Sequence, residues 1–100
     1  MCWVERTLPP GQVRWNGPAD QVAQVLAALR RDLDGLAAPA PGAPAWPVEA
    51  LIHRLNLGAD EAELVLAVAP HCGGAQLAQT AFHTLRRLLP DTDIYVTHAR

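Results

Sequence analysis

The most reactive side chain in this sequence is the thiol of Cys72, in the segment Pro70-His71-Cys72-Gly73-Gly74. The surrounding pattern predicts a bend between a buried strand and an amphipathic helix. A thiol just before a helix meets unpaired N–H groups and the positive end of the helix dipole, and both favour the thiolate that attacks electrophiles or binds metal. The glycines would let a ligand approach the backbone. We take His71, Cys72, Gly73 and Gly74 as candidate cofactor-binding residues and Cys72 as the candidate metal ligand.

The alternative for Cys72 is structural, because free cysteines are usually small buried hydrophobic residues. Position alone leaves both interpretations open. The second cysteine is Cys2, and two cysteines do not make a disulfide framework in a chain of this size. We therefore predict that both are reduced thiols.

The histidines add no complete metal site. They show neither Cys-x-x-Cys nor His-x-x-x-His spacing, so no closed four-ligand zinc site is predicted for His53, His71, His83 and His98. Cys72 is then a single ligand in a site that a partner or a second subunit would complete.

Several enzyme classes lack an essential side chain here. The chain contains no lysine and no serine, which excludes a Walker-type phosphate loop, a Schiff-base enzyme and a serine hydrolase. The carboxylate pairs Asp32 with Asp34 and Asp91 with Asp93 stand at predicted helix ends and turns, where such residues cap and solubilise. No paired-carboxylate site is predicted.

A cysteine phosphatase is excluded by spacing. Those enzymes use His-Cys followed by five residues and an arginine, and here Ala78 stands where the arginine is required. The next arginine is Arg86, so nothing in the loop would clamp a phosphate. Any other cysteine-dependent enzyme would have only His71 as a nearby base, and an adjacent residue is poorly placed for that role. We predict that the protein is not an enzyme.

Composition favours one cytoplasmic domain. One hundred residues, half of them apolar, suffice for one core. The formal net charge of −2 argues against a nucleic-acid or acidic-membrane binder, which needs a basic face. No apolar run approaches the roughly 18 residues that span a bilayer, and the N-terminus lacks the regions of a secretory signal.

The chain divides into an N-terminal arm, residues 1–17, and a single domain, residues 18–100. The arm carries Trp3 and Trp15, which would dock on the core or on a partner subunit. Residues 2–8 alternate weakly and would suit an edge strand.

Helical spacing of apolar residues predicts a helix over residues 18–36, with Pro18 at its first position. Residues 37–47 contain four prolines and predict an extended connector within the domain. Residues 48–57 fit both a strand and a helix. We favour a strand, because residues 58–61 then turn into residues 63–69, which are predicted to be a central strand covered on both faces.

The last third predicts a helix over residues 74–89 and a strand over residues 93–98. The helix should bury an apolar stripe with two flanking side chains, namely Leu77, Ala81, Leu85 and Leu88 with Phe82 and Leu89 alongside. Strand, helix and strand at this spacing imply a parallel crossover. The order helix, hairpin, helix, strand predicts a small mixed sheet with two packed helices, an α/β (α+β) fold.

This order, and three stretches of sequence, resemble domain-of-unknown-function family fifty-nine, also called MIP-eighteen-like, which includes SufT-type and PaaD-type proteins. Residues 69–77, Ala-Pro-His-Cys-Gly-Gly-Ala-Gln-Leu, look like the Pro-His-Cys stretch of its eukaryotic branch. Residues 85–90 and 93–97 continue the likeness. The sequence departs from the family in its connector, where Asp34-Gly35 precedes alanines and prolines instead of an Asp-Pro-Glu motif.

The resemblance implies an accessory protein in iron–sulfur cluster or metallocentre assembly. Cys72 would take the place of the family's motif cysteine and act as a transient ligand of a cluster or of iron, with none held stably. The partners would be assembly proteins or a client apoprotein. The competing hypothesis is an interaction module with a structural cysteine, for example a homodimer that uses the edge strand and the tryptophans Trp3, Trp15 and Trp46.

Overall fold

The computed structural model describes residues 14–34, 36, 42 and 47–99. Predictions about the first thirteen residues, including Cys2, Trp3 and an edge strand over residues 2–8, therefore lie outside the described residues. So do most of the proline-rich connector and Trp46.

The described residues form four strands and three helices. In chain order these are β1 (Trp15–Asn16), α1 (Ala19–Leu33), α2 (Val48–Leu51), β2 (Ile52–Leu57), β3 (Glu61–Leu66), a 3-10 turn (Pro70–Cys72), α3 (Gly74–Leu88) and β4 (Asp93–His98). The predicted small mixed α/β fold is confirmed, and β4 has the predicted bounds.

The four described strands lie in one sheet in the order β1-β2-β3-β4. The β2–β3 hairpin is antiparallel, whereas the β1–β2 and β3–β4 pairs are parallel. A parallel pair needs a crossover connection, and α3 supplies it between β3 and β4. Leu66 pairs with His98, so the carboxyl ends of these two strands meet at one edge of the sheet.

Both long helices bury the apolar stripes that their spacing predicts. Pro18 is the N-cap of α1 and its carbonyl accepts the Val22 N–H at 2.9 Å, so it lies one position before the predicted place. The two helices contact each other and enclose a core with alternating strand residues, which includes Leu29, Leu33, Leu55, Leu64, Leu66, Leu77, Ala81 and Leu85.

The ends of the two helical stripes differ from prediction. α1 ends at Leu33, and Leu36, predicted inside the helix, lies beyond it and is 37% exposed. Leu88, predicted to be buried, is 36% exposed at the last position of α3. A residue at or beyond the end of a helix can extend past the sheet that would cover it. An apolar residue at the helical spacing is therefore not always buried.

The strand prediction for residues 48–57 is wrong in its first four residues. Val48 and Leu51 are one helical turn apart and both are buried in the short helix α2. The strand begins at Ile52, and the register shifts between Ile52 and Arg54 as at a β-bulge. Residues 48–57 therefore contain a helix followed by a strand, and each of the two predicted patterns holds for part of the stretch.

The prediction that the central strand is covered on both faces is also wrong. Burial alternates along β3, which runs from Glu61 rather than from Glu63. Ala62, Leu64 and Leu66 are buried, whereas Glu63 and Val65 on the other face are half-buried. On that face Arg54 Nη2 donates to Glu63 Oε1 at 2.6 Å. A second covering layer would need apolar side chains there, and this polar pair takes their place.

Candidate functional site

The candidate site is the short segment that joins β3 to α3. After Leu66 the chain leaves the sheet and makes one 3-10 turn, at whose end Cys72 lies. The Ala69 carbonyl accepts N–H groups from both Cys72 and Gly74, each at 3.1 Å. One carbonyl thus holds the turn together and sets the start of α3.

Gly73 and Gly74 fix the backbone of this segment. Gly73 is the N-cap of α3, with a φ of +91° that residues with a side chain rarely adopt. Gly74 is buried, and a Cβ there would lie 2.4 Å from the Ala69 carbonyl oxygen and 2.6 Å from that of Val68. Both glycines were predicted to let a ligand approach the backbone, but the geometry of the turn itself accounts for them.

Cys72 is half-buried, packs against the hydrophobic core and is disulfide-bonded. The expectation of a reduced thiol at this position is therefore corrected. The chain's one other cysteine, Cys2, lies outside the described residues. Cysteine number and chain size carry no information about which parts of the chain meet in space, so the sequence did not reveal this bond.

His98 belongs to the same region, although it was not predicted as a site residue. It ends β4, and its Nδ1 lies 2.9 Å from the Val68 carbonyl oxygen. A carbonyl only accepts hydrogen bonds, so Nδ1 carries the proton, and in the neutral ring Nε2 then carries the lone pair. The predicted parallel pairing of the two flanking strands was the signal that could have placed His98 here, because it brings their carboxyl ends together.

The edge of the sheet near this segment carries a depression that is open to solvent. A pocket of about 660 Å³ is lined there by Pro70, Val96, Thr97, His98 and Ala99. The carboxyl ends of parallel strands are the usual place for ligand binding in α/β sheets.

The described histidines do not join Cys72 in a metal site. His71 is exposed beside Cys72, whereas His83 lies on α3 with its ring edge-on to Phe82, 5.9 Å between centroids. His53 is half-buried on β2. Within the described residues no group of three or more histidine, cysteine, aspartate or glutamate side chains could hold a metal ion.

Asp32, taken from the sequence as an ordinary helix-end residue, links the two long helices. Its carboxylate accepts Arg31 Nε at 3.0 Å within α1, and from α3 it accepts Thr84 Oγ1 at 2.7 Å and Arg87 Nη2 at 2.9 Å. These donors, Arg31 foremost, hold the pKa of Asp32 far below its ordinary value. Thr84 is 2% exposed, so the carboxylate satisfies a buried hydroxyl.

Arg14 fixes the first strand to the start of the hairpin. Its Nη2 donates to the Ile52 carbonyl at 2.7 Å and to the carbonyl of Glu49. Its guanidinium lies 4.9 Å from the ring centroid of Trp15, which packs against the core. Of the two alternatives for Trp15, docking on the core is therefore the one observed.

The fold and the turn define a class, a small two-layer α/β domain with a cysteine between a strand and a helix. A scan against protein-family models, a search of curated proteins and a search of solved structures found no match to this chain. In the part of the chain that the structure describes, every helix is too short or too polar to cross a membrane.

Proposed function

We propose that this protein is a non-enzymatic cytoplasmic accessory factor for iron–sulfur cluster or metallocentre assembly, in which Cys72, once reduced, is a transient ligand. The observation that supports the proposal is the position of Cys72, at the end of a turn that leads directly into the fifteen-residue helix α3. The amino end of a helix favours negative charge, and a metal ligand must be the thiolate.

In this proposal iron or a cluster is the cargo, and an assembly protein, a client apoprotein or a second copy of the chain would supply the remaining ligands. His71 is exposed next to Cys72, and His98 ends β4 at the same edge of the sheet. Either imidazole suits iron as an additional ligand.

Anaerobic reconstitution tests this function. The protein is reduced, freed of reductant and incubated with iron and sulfide, and its visible absorbance and bound iron are recorded. We expect a thiolate–iron absorption band that is absent in Cys72→Ala and retained in the matched control Cys2→Ala. Equal iron uptake by the wild type and by Cys72→Ala would reject the assignment. In a client-maturation assay, Cys72→Ala should abolish maturation while its circular dichroism stays that of the wild type.

The disulfide at Cys72 favours a second candidate, an interaction module with a structural cysteine. The sheet face opposite the helices would be its contact surface, since Tyr95 there is 49% exposed beside the Arg54–Glu63 ion pair. Labelling of the native protein with a thiol reagent at several pH values separates the candidates. Protection of both cysteines after treatment with a mild dithiol favours the module, and rapid labelling below pH 7 favours the metal-ligand function. Sedimentation equilibrium would show whether the module is a homodimer.

A further inference from the structure

We propose that the outer edge of β4, together with the flank of α3 above it, is the interface of a two-fold dimer in which the β4 strands of two copies pair antiparallel. β4 is the last strand of the sheet, and among the described residues β3 alone pairs with it. A strand at a sheet edge presents a row of backbone N–H and C=O groups on which another strand can pair. The inference is independent of the assembly function, since it uses neither Cys72 nor a metal.

Alternate residues of β4 turn their backbone groups toward this edge. The Asp93 N–H donates to the Asp60 carbonyl at 2.9 Å, so the odd-numbered residues of β4 face β3. Because backbone groups alternate sides along a strand, Ile94, Val96 and His98 turn theirs outward. A two-fold axis at Val96 aligns all three, since Val96 then pairs with itself and Ile94 with His98 of the other copy. Pairs of this kind exchange two hydrogen bonds each, about six in all.

β4 lacks the features that keep exposed edge strands apart. Its centre, Ile94-Tyr95-Val96-Thr97, contains no charged residue, proline or glycine, and its residue types favour a strand. Its register with β3 is regular, whereas the pairing of β2 with β3 contains a shift. In the described sheet the opposite edge is β1, which is only two residues long, and short edge strands resist pairing. Of these two edges, β4 is therefore the one suited to a partner strand.

The flank of α3 that points away from α1 adds an apolar layer beside this edge. Thr84 faces α1, where its hydroxyl donates to Asp32. Ala78, Phe82 and Leu89 lie on the other side of α3 or just past its end, at helical spacing from one another. Ala78 and Leu89 pack against the core but are only half-buried, and Phe82 is 38% exposed. The apolar surface thus continues from the strand onto the helix.

A second copy of the chain fits both layers at once. An extended peptide would pair with β4 but leave Phe82 exposed, whereas a second copy brings its own α3 flank. A helix is about 10 Å wide and covers about two strands spaced 4.8 Å apart, so the α3 helices of two copies paired through β4 would lie about one helix diameter apart. Ile94 of the second copy, which stands opposite His98, would then enter the depression that Pro70 and His98 help to line.

Charge does not oppose this arrangement, and its size limits its strength. Antiparallel pairing places Asp93 of each copy opposite Ala99 of the other, so the two carboxylates lie at opposite ends of the paired strands. A six-residue strand and one helix flank fall short of the about 20–30 residues a side of a standard interface. We therefore expect a reversible equilibrium between monomer and dimer, with a Kd of about 1–100 μM.

Amide hydrogen exchange at a series of protein concentrations, with sedimentation equilibrium on the same samples, tests the dimer. The mass should rise from that of one chain to that of two. As the protein becomes mostly dimeric, the N–H groups of Ile94 and Val96 should exchange at least about tenfold more slowly, because they donate to the other copy. The N–H groups of Tyr95 and Thr97 face β3 and serve as internal controls, which should be protected at every concentration.

A pair of variants tests the helix flank. Phe82→Glu removes a large aromatic side chain and brings like charges together near the two-fold axis, so it should weaken dimerisation by at least about tenfold. Gln76→Glu adds the same charge at an exposed position about a third of a turn away around α3, and should change the Kd by less than about twofold. Because both side chains are exposed, both variants should keep the circular dichroism of the wild type.

Other outcomes overturn the interface, and none of them bears on iron uptake. A monomer at every concentration, with fast exchange at Ile94 and Val96, has an edge that no second copy joins. A monomer in which these two N–H groups are always protected has its edge covered from within the chain. A dimer that leaves them unprotected, that tolerates Phe82→Glu, or that dissociates only when its disulfides are reduced uses a different contact.

Discussion

At the scale of single residues, Gly73 and Gly74 are adjacent but need to be glycine for different reasons. Gly73 needs its positive φ, and a Cβ there would meet nothing within 4 Å. Gly74 needs space, since its Cβ would meet two backbone oxygens that have no freedom to move away. A left-handed conformation costs a residue with a side chain about 1–2 kcal/mol, whereas overlap with a packed backbone costs about 1–3 kcal/mol or more.

The pair therefore makes a matched prediction. We expect Gly73→Ala to lower the free energy of unfolding by about 1 kcal/mol and Gly74→Ala to lower it by more, about 3 kcal/mol. Urea denaturation followed by circular dichroism measures both. A Gly74→Ala protein as stable as Gly73→Ala would show that the start of α3 can shift away from Ala69, and that the turn is not rigid.

His98 is predicted to hold the cysteine turn rather than to stabilise the whole domain. Its hydrogen bond to the Val68 carbonyl is worth about 0.5–1.5 kcal/mol, so His98→Ala should speed amide hydrogen exchange of Cys72 and Gly74 by roughly three- to tenfold. His83→Ala, on the exposed side of α3, is the control and should change neither amide. Unaltered exchange in His98→Ala would mean that the Ala69 carbonyl alone defines the turn.

At the scale of elements, the contact between α1 and α3 depends on the ionised form of Asp32. Because the folded state holds the pKa of this carboxyl below its ordinary value of 3.8, the unfolded chain binds the proton more readily. Its contribution to stability is therefore fully present above about pH 4 and is lost as the pH falls through the acid range below that value. The neighbouring Asp34 is exposed and serves as a comparison.

We expect Asp32→Asn to lower the free energy of unfolding by about 1–3 kcal/mol at neutral pH, since charged hydrogen bonds to Arg31, Thr84 and Arg87 are lost. The difference from the wild type should shrink steadily between about pH 4 and pH 2. Denaturation curves recorded across that range measure it, with Asp34→Asn as the control that should follow the wild type. A constant difference over the whole range would contradict the assigned charge state.

The elements also show why sequence patterns succeed in some places and fail in others. The bounds of β4 were predicted correctly for two reasons. Pro90 ends the helical spacing of apolar residues, and a regular alternation of apolar and polar residues starts soon after it. The prediction for residues 48–57 failed because this stretch carries a helical pattern followed by a strand pattern. Asp32 and His98 acquire their partners from elements distant in the chain, and only the topology brings these together.

At the scale of the whole molecule, the described residues form two layers, with the helices on one face of the sheet. The two faces of β3 should therefore respond differently to the same change. Leu64 is completely buried in the core, whereas its neighbour Val65 is half-buried on the opposite face, where Thr97 pairs with it. Truncating a buried leucine to alanine removes its transfer free energy and leaves a cavity, at a cost of about 2–5 kcal/mol.

We expect Leu64→Ala to lower the free energy of unfolding by about 3 kcal/mol, and Val65→Ala to lower it by less than about 1 kcal/mol. Urea denaturation with two spectroscopic probes measures both variants under one set of conditions. If Val65→Ala proves as destabilising as Leu64→Ala, a further layer must cover the second face of the sheet. That face would then be unavailable as a contact surface, and the interaction-module alternative would lose the sheet face assigned to it.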